Sequence, residues 1–274
     1  MIQAHSEEIL AFLKEDIGTG DLTASIIPDS TRAEAGVITR ENMVLCGQAW
    51  FNAIFKTLDP TINIDWLIKE GSYCQKNTQL CTLQGSAKTL LTGERTALNL
   101  LQTLSATATI AKQYSDAVSG TQCKVLDTRK TIPGLRNAQK YAVNCGGCYN
   151  HRKGLYDGVL IKENHIMVAG SIALAVRAAR KITDVLIEVE VESLEEYQQA
   201  LDAKPDRIML DNFSLADMKT AIALNSTSIQ LEASGDINLH NIRAIAETGV
   251  DFISIGALTK HINAINLSMR ITLE

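Results

Sequence analysis

Polar residues of a few types end the apolar segments in the second half of this 274-residue sequence. Short apolar segments of this kind are typical of buried β-strands, whose last residues meet at one edge of a parallel sheet. The first two segments end in cations, the next two in carboxylates, and the last two in small residues. In chain order these ends are Arg129 with Lys130, Lys162, Glu190, Asp211, Glu232 followed by Ser234 and Gly235, and Gly256.

The cations indicate a ligand that carries more than one anionic group. Arg129, Arg136, His151, Arg152 and Lys162 fall within 34 residues of one another. Arginine binds a carboxylate or a phosphate through its planar fork, whereas lysine provides a compact point charge. A single Arg or Lys is usually a solvated surface charge, so the clustering at successive strand ends is what favours a site.

Two carboxylates and two small-residue segments complete the predicted site. Glu190 and Asp211 beside a polyphosphate are typical of Mg²⁺ held partly by protein and partly by substrate, although Asp211 alone could simply cap the next helix. Glycine lets a phosphate approach backbone N–H groups, and the last two strands of an α/β barrel usually bind phosphate. Ser234-Gly235-Asp236 and Ser254-Ile255-Gly256-Ala257 suit that role.

The apolar segments alternate with amphipathic stretches such as Ser193–Leu201. This alternation predicts parallel strands joined by helices. Six strands are fewer than a closed TIM barrel has, so we predict an open, incomplete α/β barrel, with a doubly wound open sheet as the alternative. The six segments are Lys124–Lys130, Gly158–Lys162, Val185–Glu190, Arg207–Asp211, Ile229–Glu232 and Phe252–Gly256.

The N-terminal part of the chain has a different pattern. Glu7–Ile17 carries apolar residues at helical spacing, and Gly18 follows as a stop signal. Residues 33–83 contain short β-like runs separated by Gly, Asn and Pro turns, and a long helical pattern begins near Thr92. We therefore predict a separate β-rich domain with some helix before the barrel.

The overall charge excludes some classes of ligand. The chain has 26 Lys+Arg and 31 Asp+Glu, a net charge of −5, which argues against general nucleic-acid binding. The stretch Lys124–Lys162 nevertheless carries eight Lys+Arg and two Asp+Glu, a local charge of +6. A small polyanion in a locally basic pocket is therefore compatible with an acidic protein.

Targeting signals and cysteine content indicate the compartment. No run of about 18 apolar residues predicts a membrane span, and the N-terminal residues do not resemble a secretory signal. We expect a cytoplasmic protein with reduced cysteines. Cys145-Gly-Gly-Cys148 could form a metal or redox site, but no second Cys pair lies at zinc-ligand spacing.

A series of longer segments extends the pattern over nearly the whole chain: Asp16–Thr23, Gly93–Asn99, Asp127–Arg136, Lys140–Val143, Asn150–Arg152, Ile161–His165, Glu188–Val191, Leu210–Phe213, Glu232–Gly235 and Gly249–Thr259. In this order they resemble the quinolinate phosphoribosyltransferases, also called nicotinate-nucleotide pyrophosphorylases (carboxylating). The resemblance implies a pentosyltransferase of NAD biosynthesis. It would convert quinolinate and phosphoribosyl pyrophosphate, with Mg²⁺ and no organic cofactor, to nicotinate mononucleotide, pyrophosphate and CO₂.

The resemblance also implies an architecture and an assembly. We expect an N-terminal α/β sandwich domain over residues 1–110 and an open barrel of about seven strands over 111–265. A C-terminal segment, 266–274, would return to the N-terminal domain. Members of the family assemble as dimers or larger oligomers, so we expect a homodimer or a hexamer with shared active sites, in which Arg95 comes from the partner subunit.

Roles follow from the same match. Among the cations, Arg129, His151, Arg152 and Lys162 would surround the two quinolinate carboxylates. The predicted catalytic residues are Lys130, Lys162, Glu190 and Asp211, the last two also holding Mg²⁺ directly or through substrate or water. The predicted substrate-binding residues are Arg95, Thr128, Arg129, Lys130, His151, Arg152, Lys162, Glu190, Asp211, Ser234, Gly235, Asp236, Ser254, Gly256 and Ala257.

Alternative functions remain open at this point. A paralogous phosphoribosyltransferase of the same fold would act on another acceptor, and a Schiff-base aldolase would use Lys162 as its nucleophile. A carrier module would use lipoyl-like turns near Gly71–Tyr73 and Gln79–Gly85. One residue departs from the family's pattern, because Cys148 stands where we expect glycine, and a positive φ there would strain the backbone.

Overall fold

The computed structural model describes residues 4–273. The chain divides into two compact units, each with its own main sheet. The first unit comprises Met1–Lys112, Ile132–Gly147 and His261–Glu274, and the second comprises Gln113–Thr131 and Cys148–Lys260. The predicted domain boundaries at residues 110 and 265 stay predictions, because these units are assembled from separate stretches of chain.

Twelve strands and ten α-helices are present in the described range, with one short 3₁₀ helix at Ala24–Ile26. In chain order they are α1 (Ser6–Ile17), β1 (Arg32–Thr39), β2 (Met43–Val44), α2 (Gln48–Leu58), β3 (Asn63–Trp66), β4 (Tyr73–Cys74), β5 (Gln79–Ser86), α3 (Ala87–Ala117), β6 (Lys124–Leu126), α4 (Arg136–Cys145), β7 (Val159–Ile161), α5 (Glu163–Ala169), α6 (Ile172–Ile182), β8 (Ile187–Val191), α7 (Leu194–Ala203), β9 (Arg207–Asp211), α8 (Leu215–Leu224), β10 (Gln230–Ser234), α9 (Ile242–Ala246), β11 (Phe252–Ser254), α10 (Ala257–Lys260) and β12 (Leu267–Leu273).

The first unit is built on an antiparallel sheet of order β12-β1-β5-β3. Alternate residues of β1, from Ala33 through Val37 to Thr39, are buried, as the two-residue period of a strand with one covered face requires. Val37 lies opposite Met269 of β12 and Cys81 of β5. Strand β12 therefore brings Leu267–Leu273 into the sheet of the first unit.

Helices cover the buried face of this sheet. Trp50, Phe51 and Phe55 of α2 are almost fully buried, and Leu90 and Leu101 of α3 belong to the same apolar cluster. Burying one such side chain contributes about 1.5–3 kcal/mol, so the aromatic residues of α2 are major contributors to the stability of this unit. The predicted N-terminal α/β sandwich domain is confirmed as a separate unit with its own sheet.

The second unit contains a parallel sheet of order β6-β11-β10-β9-β8-β7. Strands β7 to β11 lie beside one another in chain order, and β6, the first of them in sequence, lies beside β11, the last. This circular order is that of an α/β barrel, whereas a doubly wound sheet changes direction near its middle. The predicted barrel is confirmed and the doubly wound alternative is excluded.

The barrel is open between its sequence-adjacent strands β6 and β7, which are edge strands in the described sheet. Tyr149 forms an isolated parallel bridge with Leu126, and its backbone N–H donates to Val125 O at 2.8 Å. This single residue occupies the seventh position beside β6. The predicted open barrel of about seven strands therefore consists of six strands and one bridge among residues 4–273.

The predicted strand Lys124–Lys130 is also too long. Strand β6 ends at Leu126, and the following Asp127 is buried. The carboxylate of Asp127 accepts from His151 N at 2.9 Å and from Asn150 Nδ2 at 2.6 Å. Because these bonds tie Asp127 to the segment after Tyr149, the chain leaves the sheet there, and Arg129 and Lys130 lie on a loop rather than on a strand.

Among residues 4–273, no helix combines the length and the apolar character that crossing a membrane requires.

Candidate active site

A pocket of about 240 Å³ opens at the carboxyl ends of the barrel strands. All of its lining residues belong to the second unit. They are Thr128, Arg129, Lys130, His151, Arg152, Leu160, Lys162, Glu190, Met209, Ser234 and Ser254. The structure thus brings together most of the residues that the sequence analysis selected.

Two arginines of the pocket repel one another. Arg152 is half-buried, and its Nη1 donates to Gly158 O at 3.0 Å, which fixes the guanidinium. Burial and the positive charge of Arg129 lower the pKa of Arg152. An anion bound between the two guanidinium groups would relieve this repulsion, and a planar carboxylate matches their fork geometry.

Lys162 follows β7 and forms an ion pair with Glu190 near the end of β8. The Glu190 side chain is only 14% exposed, against 44% for Lys162. The Lys162 side chain is therefore the more exposed of the two, and it lines the pocket. Lys130 is exposed, and its carbonyl accepts from Thr259 Oγ1 at 2.8 Å, which holds the loop that carries it.

Several predicted residues lie outside the lining of this pocket. Asp211 is the last residue of β9 and accepts from Asn212 Nδ2 at 2.9 Å. Gly235 and Asp236 line a neighbouring concavity after β10. Gly256 approaches Lys130 closely, because a Cβ there would lie 3.0 Å from Lys130 Cδ, and Ala257 begins α10. Arg95 is exposed on α3 in the first unit.

The close approach at Gly235 leads to a stability prediction. Gly235 has φ +95°, and an added Cβ would lie 2.1 Å from Asn212 Oδ1 and 2.8 Å from Asn212 N. Gly120 has φ +81° with no neighbouring heavy atom within 4 Å, so it is a matched control. We expect Gly120→Ala to lower the free energy of unfolding by about 1 kcal/mol through conformation alone. Gly235→Ala should cost about 2–4 kcal/mol, because the neighbouring backbone must also move.

Urea unfolding of both glycine variants measures this difference. Equal costs at the two positions would contradict the tight packing of Gly235 against Asn212.

Three buried charged residues beneath the pocket were not among the predicted site residues. Glu188 and Glu232 are fully buried, and Arg207 Nη1 donates to Glu232 Oε2 at 3.0 Å. The Arg207 guanidinium also stacks 3.9 Å from the centroid of the Phe252 ring. For the two glutamates, the signal in the sequence was a charged residue inside an apolar run. Glu188 lies two residues before Glu190, and Glu232 lies two residues before Ser234, so each shares the strand face of the pocket residue that follows it.

His151 is held on both sides by protein groups. Its Nδ1 accepts from Arg152 N at 2.8 Å, so that nitrogen carries no proton. Its Nε2 lies 2.7 Å from Glu188 Oε2 and 3.7 Å from Glu232 Oε2, and therefore donates its proton to Glu188. Because both ring nitrogens are engaged, the imidazole in this geometry orients Arg152 rather than offering a donor to a ligand.

The two buried carboxyl groups keep their protons to a higher pH than exposed glutamates do. Oε1 of Glu188 and Oε1 of Glu232 are buried without a donor among the described residues. Burial raises the pKa of each group to about 7, and the proximity of the two carboxylates contributes for Glu232. A proton held by one of the two groups supplies the donor that both oxygens lack.

This arrangement predicts that stability falls as the pH rises. Unfolded glutamates ionise near pH 4.5, whereas the folded pair ionises near 7. Between these values the folded state holds protons that the unfolded state has lost, so the free energy of unfolding decreases with pH. Glu232→Gln removes one ionisation, and we expect its stability relative to the wild type to improve between about pH 5 and pH 8.

Urea unfolding at several pH values tests this expectation. Glu247→Gln, at a half-exposed surface pair with Arg243, is the control and should not change the pH dependence. Parallel pH profiles for Glu232→Gln and the wild type would contradict the raised pKa of Glu232.

Cys148 does not have a positive φ, so the strain that such a φ would cause does not arise there. Within the described residues, the non-glycine residues with positive φ are Asn77, Lys204, Asn212 and Asp236, and the positive φ of this loop falls on Gly147. Cys148 is buried, which raises the pKa of its thiol to about 12. Neither of the two groups of potential metal ligands in the described residues contains both Cys145 and Cys148.

Fold and site together define an open α/β-barrel protein with a cationic pocket and a second α/β unit that has its own sheet. Family models extend this definition. The model described as "Quinolinate phosphoribosyl transferase, N-terminal domain" matches residues 21–105, and the corresponding C-terminal domain model matches residues 107–270. The chain belongs to the quinolinate phosphoribosyl transferase family, as the sequence analysis predicted.

Similar proteins support this assignment. A curated protein of Bacillus subtilis named "Probable nicotinate-nucleotide pyrophosphorylase [carboxylating]" is 41% identical over 265 residues, covering 96% of this chain and 92% of its own. A nicotinate-nucleotide pyrophosphorylase [carboxylating] of Mycobacterium leprae is 38% identical, covering 97% and 96%. The solved structure of the nicotinate-nucleotide pyrophosphorylase from Francisella tularensis has 47% identity and a TM-score of 0.94, covering 99% of this chain and all of that one.

Proposed function

We propose that this protein transfers the phosphoribosyl group of phosphoribosyl pyrophosphate to quinolinate with loss of CO₂. The products are nicotinate mononucleotide, pyrophosphate and CO₂, and the enzyme is a pentosyltransferase of NAD biosynthesis. The observation that carries this proposal is the pocket in which Arg129, Arg152 and Lys162 converge, in a chain of this family. Quinolinate is a dianion, and the two guanidinium groups supply paired forks for its carboxylates.

The pocket's charges suit each stage of the reaction. Departure of pyrophosphate leaves positive charge on the ribose, which a carboxylate such as Glu190 stabilises from the end of β8. Attack by the pyridine nitrogen gives a positively charged ring, and this charge stabilises the electron pair left on the ring carbon when the adjacent carboxylate leaves as CO₂. A proton from solvent then takes the place of the carboxylate. The chain's own residues therefore act by positioning and by electrostatics, and no organic cofactor is required.

We propose that Mg²⁺ binds at Glu190 and Asp211 together with substrate oxygens. Glu190 is the next-to-last residue of β8 and Asp211 is the last residue of the neighbouring strand β9, and carboxylates are donors that Mg²⁺ accepts. Among the described residues, neither Glu190 nor Asp211 belongs to a group of three or more potential metal ligands. The protein alone therefore offers an incomplete coordination shell for the ion. When bound, the ion would neutralise charge on the pyrophosphate leaving group.

We further propose a homodimer, or a hexamer made of such dimers, in which Arg95 completes the partner subunit's site. Arg95 is exposed on α3, as a residue offered to another subunit must be. The six cysteines are free thiols, which supports a reducing compartment, and we propose the cytoplasm.

A purified-protein assay tests the proposed acceptor. We expect product formation with quinolinate, phosphoribosyl pyrophosphate and Mg²⁺. With nicotinate we expect kcat/KM to be at least about 100-fold lower, because nicotinate has a single carboxylate and one cationic group of the pocket then has no partner. Equal turnover of nicotinate would instead support a paralogous transferase with a different acceptor. An adduct trapped on Lys162 by borohydride with a carbonyl substrate would support the aldolase alternative.

A further inference from the structure

The proposed reaction does not use the cysteines of the first unit, and two of them lie together. Cys145 is the last residue of α4 and is half-buried, whereas Cys46 lies just before α2 and is fully buried. The Sγ atoms of Cys46 and Cys145 and a carboxylate oxygen of Glu70 all lie within 4.8 Å of one another. The thiol grouped with that of Cys145 is therefore that of Cys46, and Cys148, the neighbouring cysteine in the sequence motif, does not belong to this group.

The surroundings of Cys145 favour its thiolate. Hydrogen bonds from the Cys46 thiol and from the Tyr141 hydroxyl lower the pKa of Cys145, and together they outweigh burial and the nearby Glu70 carboxylate, which raise it. Burial raises the pKa of Cys46, and the neighbouring Cys145 raises it further. Of the two thiols, that of Cys145 is therefore the more readily ionised, and its thiolate is the nucleophile of the pair.

Packing fixes the groups around the pair. Tyr141 lies one helical turn before Cys145 on α4, and its ring centroid is 5.5 Å from that of Trp50. The Glu70 carboxylate accepts from Gly47 N at 2.8 Å and from Gln48 N at 3.2 Å, so it is anchored at the start of α2. The cluster is thus built from α4 and from the two loops that meet at the start of α2.

The remaining cysteines provide a contrast within the same chain. Cys74, Cys81, Cys123 and Cys148 are buried, and burial raises the pKa of each thiol. A buried neutral thiol reacts slowly with oxidants because the thiolate is the nucleophile. Reactivity should therefore be confined to Cys145.

We propose that Cys145 and Cys46 form a redox-active pair that a hydroperoxide converts to a disulfide. The Cys145 thiolate attacks the peroxide O–O bond, giving a sulfenic acid on Cys145 and releasing hydroxide, or alkoxide from an organic peroxide. The Cys46 sulfur, losing its proton, then attacks the Cys145 sulfur and displaces the sulfenic oxygen as water. The two sulfurs are oxidised by two electrons in total, and the peroxide is reduced by the same number.

The test treats the full-length protein with hydrogen peroxide after removal of metals with a chelator. We expect the wild type to lose two of its six thiols, as counted by a thiol reagent, and dithiothreitol to restore both. Peptide mapping without reduction should show Cys46 joined to Cys145, with the mass of two hydrogen atoms lost. Cys123→Ser, at a buried cysteine of the second unit, is the matched control and should behave as the wild type.

Variants separate the two steps. Cys46→Ser should accumulate a sulfenic acid on Cys145 that dimedone labels, and Tyr141→Phe should slow the oxidation, because the thiolate loses one donor. Because Cys46→Ser changes a buried position, the peptide map of the wild type decides the outcome if that variant does not fold. Loss of no thiol, a disulfide between other cysteines, or faster oxidation of any other cysteine overturns the proposal.

Discussion

Replacing Lys162 by alanine is expected to lower kcat/KM by about 10³-fold or more, about 4 kcal/mol of transition-state stabilisation. The ammonium group lies in the pocket and pairs with Glu190. Its removal takes one positive charge from the site proposed to bind two anionic substrates, and it leaves the largely buried Glu190 carboxylate without its partner. Both changes raise the energy of bound substrates and of the transition state.

Steady-state kinetics of purified Lys162→Ala measure this effect, and circular dichroism with a thermal melt shows whether the variant is folded. Lys181→Ala is the matched control, since Lys181 is an exposed lysine in the last turn of α6. A folded Lys162→Ala enzyme with kcat/KM within about threefold of the wild type would remove Lys162 from the site.

Replacing Arg129 by alanine is expected to lower kcat/KM for quinolinate by about 10²- to 10³-fold while changing the free energy of unfolding of the ligand-free protein by less than about 1 kcal/mol. A large loss of kcat/KM with a small change in the free energy of unfolding would show that Arg129 serves ligand binding rather than stability. The positive charge of Arg129 lowers the pKa of Arg152, so the two groups oppose one another when no anion is bound. Removing Arg129 therefore removes a repulsion as well as a ligand for the substrate.

The measurement combines kinetics with the shift in melting temperature caused by quinolinate. We expect the wild type to be stabilised by quinolinate and Arg129→Ala to lose most of that stabilisation. Arg177→Ala, at an exposed arginine of α6, should keep it. Strong destabilisation of ligand-free Arg129→Ala would show that this arginine holds the structure together rather than the ligand.

The barrel and its pocket could be predicted because their signals are local. Each of the six apolar segments contains a strand, and a residue that ends a parallel strand must lie at the carboxyl edge of the sheet. Lys162 and Glu190 illustrate this, since their pairing follows from the neighbouring positions of β7 and β8. Membership of the family and the α/β fold are confirmed.

Other features depend on contacts between distant residues, which one sequence does not specify. The early end of β6 results from the bonds of Asp127 to Asn150 and His151. Cys145 lies near Cys46 because of packing within the first unit, although Cys148 is its neighbour in sequence. The raised pKa values of Glu188 and Glu232 result from burial. A charged residue in an apolar run indicates such burial only when it is known which way its side chain points.

The most direct test of the proposed reaction is the release of CO₂ from quinolinate labelled in the carboxyl group next to the ring nitrogen. Purified protein with phosphoribosyl pyrophosphate and Mg²⁺ should release labelled CO₂ and form nicotinate mononucleotide in equal amounts, and omission of phosphoribosyl pyrophosphate should stop both. No label released above background, or nucleotide formed with both carboxylates retained, would contradict the account.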